Sequence, residues 1–228
     1  MTFSFFSCNS IGAKGLEPNT PEYQTSLLQD FAARSAMSQT DTPADMWYVD
    51  PAIQVWGPLP RKYPDVNDIV AKFPKGTDIS RWKRDRVVAI AKQYINLPYM
   101  HHHIPAWNPQ VPDKEGLTGV GLDCSNFTAW VYNFGFGAMI SSDVVKQSQM
   151  IATRNFPLPA GIKRISADEK FLPGDLLFIY NAEGTDIVHV VIYIDKDHII
   201  DSTKGHVDVR AFTGWYKTRL SHGVRIFN

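Results

Sequence analysis

The chain has 228 residues, 44% of them apolar and 20% charged, a globular balance that excludes wholesale disorder. Basic and acidic residues number 23 each, so net charge is zero and no global basic field exists to attract nucleic acid. The longest apolar runs, Leu176 to Tyr180 and Val190 to Ile194, are far too short to span a bilayer. Two cysteines, Cys8 and Cys124, cannot build a disulfide framework.

In chain order, Phe5-Phe6-Ser7 before Cys8 faintly resembles the end of a lipoprotein signal, but a basic n-region and a long apolar stretch are missing. Cys8 is therefore open to two readings, a lipid-anchor site or an incidental thiol. Residues 20–38 form the first expected helix. Thr20 caps it, Pro21 suits the first helical position, and Glu22 complements the positive N-terminal end. Tyr23, Leu27, Leu28 and Phe31 give it one apolar stripe. From Thr42 to Pro64 a proline-rich stretch with Trp47, Tyr48, Val55 and Trp56 is expected as an extended arm, its aromatics packed on the main domain.

A second helix is expected from Ser80 to Ile95, capped by Asp78 or Ser80, with Val87, Ile90, Ala91 and Tyr94 facing inward. Within it Lys83, Arg84 and Arg86 form a basic stretch expected on a solvated face. Residues 104–121 are loop, broken by proline and glycine. A third helix starts at Asp123 and runs through Tyr132 to Gly135. Five short strands follow, at 176–180, 187–194, 198–202, 207–212 and 224–227, with Asn181, Gly184, Gly205, Gly214 and Gly223 as turn residues. Helices first and consecutive strands after predict an α+β fold on an antiparallel sheet. Residues 1–79 are expected to be an extension packed on a main domain of residues 80–228.

Three side chains carry chemistry. Cys124 stands at a loop-to-helix junction, where the helix dipole and unpaired N–H groups favour a thiolate and can hold an oxyanion. Asp123 just before it suits the N-cap. His189 is the polar ring in the run Ile187 to Ile194, and the next strand ends in Asp201. A hairpin closing about Asp195 sets His189 directly opposite Asp201, close enough for the acid to orient the imidazole; a one-residue slip would substitute Ser202. The order nucleophile, base, orienter is Cys124, His189, Asp201.

These motifs resemble the NlpC-type family of bacterial cell-wall cysteine peptidases, which have a papain-like α+β fold. The resemblance rests on Pro98-Tyr99, Asp123-Cys124-Ser125, Pro173-Gly174-Asp175-Leu176, His189-Val190-Val191-Ile192-Tyr193 and Asp201, in that order. It implies Cys124 as nucleophile, His189 as general base and Asp201 as orienter. It also implies cleavage within peptidoglycan stem peptides, at the γ-D-glutamyl–diamino acid bond, with Asp123 and Ser125 helping to bind a free N-terminal amine in members that require one and Tyr99 lining the substrate site. The usual Trp-Gly-Gly after Pro-Tyr is replaced here by Met100-His101-His102-His103 and the residues to Trp107.

Consecutive histidines cannot all reach one ion without an irregular backbone, so His102 and His103 are assigned to the substrate-binding rim and no metal is expected. His198, His206 and His222 are expected exposed. No cofactor is implied. The implied partner is a stem peptide or muropeptide, with no nucleic acid and no membrane span, and the chain is expected as a monomer in the cell envelope or periplasm, or in cytoplasmic recycling. An amidase or acyltransferase on the same triad, or an inactive cell-wall binding module, are the alternatives.

Overall fold

The computed structural model describes residues 14–29, 31, 47–50, 55–58, 66–101, 121–136, 138, 140–150, 161–203 and 205–228, the two short segments between 47 and 58 as backbone alone. The elements are α1 (Pro21–Leu27), β1 (Trp47–Asp50), β2 (Val55–Pro58), α2 (Val66–Val70) and α3 (Ile79–Ala91). They continue with α4 (Cys124–Phe136), α5 (Val144–Ser148), β3 (Lys163–Ser166), β4 (Leu176–Tyr180), β5 (Ile187–Tyr193) and β6 (His198–Ser202). The last are β7 (Val207–Ala211), α6 (Trp215–Thr218) and β8 (Leu220–Arg225).

Thr20 caps α1 by accepting from Tyr23 N–H at 3.2 Å. The helix ends at Leu27 for a tertiary reason, and residues 30 and 32–38 of the expected 20–38 lie outside the described residues. The carbonyls of Leu27 and Gln29, which a longer helix would give to N–H groups four residues on, both accept from Arg86 Nη1 at 2.9 Å. Arg86 was expected on a solvated face; it is buried, and its guanidinium also lies over the rings of Trp82 and Phe136. Around it Tyr23, Leu27, Val66, Ile69 and Trp82 form a cluster shared by α1, α2 and α3. Segments β1 and β2 pair antiparallel, Trp47 with Pro58 through Asp50 with Val55.

Asp78 is the cap of α3, accepting from Arg81 N–H at 2.8 Å, and a turn of 3-10 helix over Lys92–Tyr94 ends it. The six-stranded sheet runs β3-β8-β4-β5-β6-β7, every pairing antiparallel. One face buries Phe178, Val190, Ile192 and Ile200 against Val87 and Ile90 of α3 and Phe127 and Trp130 of α4. The other buries Leu177, Ile179, Val191, Tyr193 and Ile199 with Phe212 and Tyr216. Both faces are covered, so β4 reads as a continuous apolar run and β5 as one interrupted only by His189.

The strand expected at 224–227 starts earlier, at Leu220, and Gly223 lies inside it rather than in a turn. A Cβ at Gly223 would stand 2.9 Å from a ring carbon of Phe171, so the glycine makes room for packing. His222 beside it was expected exposed but is buried, stacked on Phe178 at 5.1 Å, and burial holds its imidazole below the ordinary histidine range. No helix among the described residues is long and apolar enough to cross a membrane.

Candidate active site

The site forms where α4 begins beside β5 and β6. Asp123 caps α4, its Oδ1 accepting from Asn126 N–H at 2.8 Å, which fixes Cys124 in the first turn. The loop before the helix is held from both sides. Leu122 N–H donates to Pro98 carbonyl at 3.0 Å, and Ser202 Oγ on β6 donates to Leu122 carbonyl at 2.6 Å. Gly121 has no room for a Cβ, which would meet the Pro98 carbonyl at 2.7 Å. The position of Cys124 is therefore fixed by contacts to the backbone on both sides.

His189 comes from β5 just after a bulge. Ile179 pairs with His189 but Tyr180 pairs with Ile187, leaving Val188 as the extra residue, 49% exposed. Such a bulge bends the strand and re-aims the next side chain. The β5–β6 hairpin differs from the expected register. Ile192 pairs with Ile200 and Tyr193 with Ile199, so the turn centres one residue later than Asp195. The cause is Asp195 itself, whose Oδ1 accepts from Asp197 N–H and contacts His198 Nδ1, both at 2.9 Å, building a longer turn. Continued, this register puts Asp201 opposite Val191, two residues from His189. A two-residue offset keeps both side chains on one face. His189 Nε2 therefore meets Asp201 Oδ2 on the diagonal, at 2.6 Å.

With Nε2 engaged by the acid, Nδ1 is the ring nitrogen left to face sulfur, and His189 hydrogen-bonds Cys124. Burial opposes charge on this imidazole. The negative charge of Cys124 and the hydrogen bond to Asp201 outweigh it and bring His189 up to about 10. Asp201 is fully buried and also accepts from Tyr216 Oη at 2.9 Å and Arg210 Nε at 2.8 Å. Burial, then the Asp201 charge, hold the Tyr216 phenol far above its usual range, so it remains a donor. Arg210 and Tyr216 were absent from the sequence reading. Only the alternation of β7 could have pointed to Arg210, and nothing local marks Tyr216.

A cleft of about 350 Å³ opens beside Cys124, lined by Tyr99, His101, Asp123, Ser125, Ser142, Asp143, Val144, Ile187 and Val188. Three of the five residues expected to bind substrate, Tyr99, Asp123 and Ser125, thus share one wall with the cysteine. The Ser125 hydroxyl donates to Ser142 carbonyl at 2.6 Å, so its hydrogen holds the opposite lip in place. Gln147, wholly buried, braces the same lip by donating to Ser125 and Ser141 carbonyls. Tyr99 and His101 stack at 6.2 Å. His102, His103, Trp107 and Cys8 lie outside the described residues. Asp143 is an acid of the cleft that the sequence reading passed over; it caps α5 through Lys146 N–H at 2.8 Å.

Helices on an antiparallel sheet, with a cysteine opening one helix and a histidine and buried acid on adjacent strands, define a papain-like α+β protein. The sequence matches the model of the NlpC/P60 family over residues 112–225, and the chain belongs to that family. Among solved structures it resembles the P60 domain of antigen MAP1204 from M. avium subspecies paratuberculosis, with 19% identity and TM-score 0.50, covering 65% of this chain and 98% of that one. An NlpC/P60 family protein from Bacillus cereus shows 23% identity and TM-score 0.46, over 64% of this chain and 40% of its own length. RipD from Mycobacterium tuberculosis, a non-catalytic NlpC/p60 domain protein adapted to peptidoglycan binding, shows 16% identity and TM-score 0.47, over 63% and 97%. No curated protein matches the sequence.

Proposed function

We propose that the protein is a cysteine endopeptidase of the bacterial cell envelope that hydrolyses peptidoglycan stem peptides at the γ-D-glutamyl–diamino acid amide. The observation that carries this reading is the buried 2.6 Å contact of His189 Nε2 with Asp201, on an imidazole that also hydrogen-bonds Cys124. Family membership supports the peptidoglycan substrate.

In this reading Asp201 fixes the tautomer that presents Nδ1 to sulfur. The Cys124 thiolate attacks the amide carbonyl, and N–H groups of the first turn of α4 face the developing oxyanion. As the C–N bond breaks, Nδ1–H protonates the leaving amine and a thioester remains. Neutral His189 then takes a proton from water, which attacks the thioester, releases the γ-carboxylic acid and returns the sulfur. The carboxylates of Asp123 and Asp143 favour a substrate with a free ammonium.

Cys124→Ala is expected to abolish cleavage of purified muropeptides, read as product masses over time. Equal products from both proteins, or no cleavage by the wild type of any stem peptide, would sink the reading. A cut between glycan and peptide would mean an amidase instead.

A further inference from the structure

Trp215 opens α6 and, at 38% exposed, is a large apolar side chain left open beside the site. Its ring centroid lies 5.2 Å from that of His189. One face is taken by Tyr216, stacked at 4.3 Å and 29°. Tyr216 is itself pinned, its hydroxyl donating to Asp201 at 2.9 Å. The indole is therefore a rigid shelf, braced by the same acid that orients the histidine.

The two sides of the Cys124–His189 pair differ in chemistry. On the side of Asp123 and Ser125 lies the polar, doubly acidic cleft; Trp215 is not among its lining residues. In acyl transfer the carbonyl side of the substrate stays with the sulfur. The leaving nitrogen must come within about 3 Å of the protonated imidazole. Whatever that nitrogen carries is thus delivered toward the histidine side, where the open indole stands.

We propose that Trp215 is a binding platform for the leaving-side residue, and that the residue it selects is a long-chain diamino acid. The alkyl chain lies along the open indole face and the terminal ammonium reaches the ring by cation–π attraction. The direction of this assignment, leaving side rather than acyl side, rests on the peptidase reading. A tryptophan that only screened the His189–Asp201 contact would be indifferent to what leaves.

The test uses two peptides with the same L-alanyl-γ-D-glutamyl part, one ending in a diamino acid and one in glycine. Trp215→Ala is expected to lower kcat/KM about tenfold for the first and less than about twofold for the second, with Trp215→Phe losing only about threefold on the first. Equal losses on both peptides would overturn the proposal. Binding is read separately in the 15N-labelled full-length Cys124→Ala protein. The Trp215 indole N–H resonance, assigned by its absence in Trp215→Phe, is expected to move with the diamino acid peptide and stay still with the glycine peptide. No movement with either, or equal movement with both, overturns it. Should the wild type cleave neither peptide, the peptidase reading fails while the resonance still decides the platform.

Discussion

Asp201 takes hydrogen bonds from His189, Tyr216 and Arg210 on its two oxygens while fully buried. Three donors on one buried side chain hold it rigid, and a rigid acceptor is what fixes an imidazole. Against burial, which lowers it, the charge of Cys124 and then the hydrogen bond to Asp201 raise His189 to about 10, so it keeps its proton far into the alkaline range. Because leaving-group protonation needs that proton, the basic limb of kcat/KM is expected near pH 10 rather than near histidine's ordinary 6.5. Asp201→Asn keeps an acceptor for Nε2 but removes the charge, so it should bring that limb down by about one unit, as a pH profile would read. The same shift links to stability. An unfolded chain releases this proton near 6.5, so the contribution is complete below that pH and is lost as pH rises toward 10.

Among the elements, the Pro173-Gly174-Asp175-Leu176 turn shows how a motif can support a site it never touches. Gly174 has φ +85°, a left-handed conformation that glycine adopts without strain. A Cβ there would also stand 2.9 Å from the Arg84 carbonyl of α3. Asp175 is buried in a two-pronged ion pair with Arg225, at 2.9 and 2.7 Å, and accepts from Leu172 N–H at 2.8 Å. The turn therefore locks β4 against α3 and β8, and β4 in turn holds the bulged strand carrying His189. Gly174→Ala is expected to cost about 2 kcal/mol of stability, from strain and the close approach together, measured by urea unfolding. The bulge at Val188 and the two-residue offset of the β5–β6 hairpin belong to this scale too: they decide which way the imidazole points.

Across the whole molecule, Arg86 joins what the sequence separates. It donates to the carbonyls of Leu27, Gln29 and Gly135, tying the segment after α1 to the end of the helix that starts with Cys124. Two further contacts share the task, Tyr23 Oη to Asp85 at 2.7 Å and Trp82 Nε1 to Ser26 Oγ at 2.8 Å. Arg86→Met would leave buried carbonyls without these donors. It should cost about 3 kcal/mol and expose residues 14–31 to limited proteolysis, seen as a lower unfolding midpoint and an early N-terminal cut.

The sequence by itself determined the elements whose signals are local and the residues whose roles follow from them. Thr20 and Asp78 cap their helices because an oxygen side chain beside a helix start has one favourable use. Asp123-Cys124-Ser125 announced a helix opening on a thiol, and the apolar runs of β4 to β6 announced a buried sheet. Short elements with weak periodicity stayed hidden, such as β3, which has one apolar residue in four. The tertiary structure alone decided what depends on distant atoms. One of the three basic residues on α3 became an internal clamp, because Arg86 found three carbonyls within reach. A glycine read as a turn became a strand residue, because Phe171 needed the space. The pairing of His189 with Asp201 kept its face but changed its register, because Asp195 built a longer turn. The second ring of the site, Arg210, Tyr216 and Trp215, could be found only by folding, since a side chain's neighbours across a sheet are set by register and twist and leave no mark on local sequence.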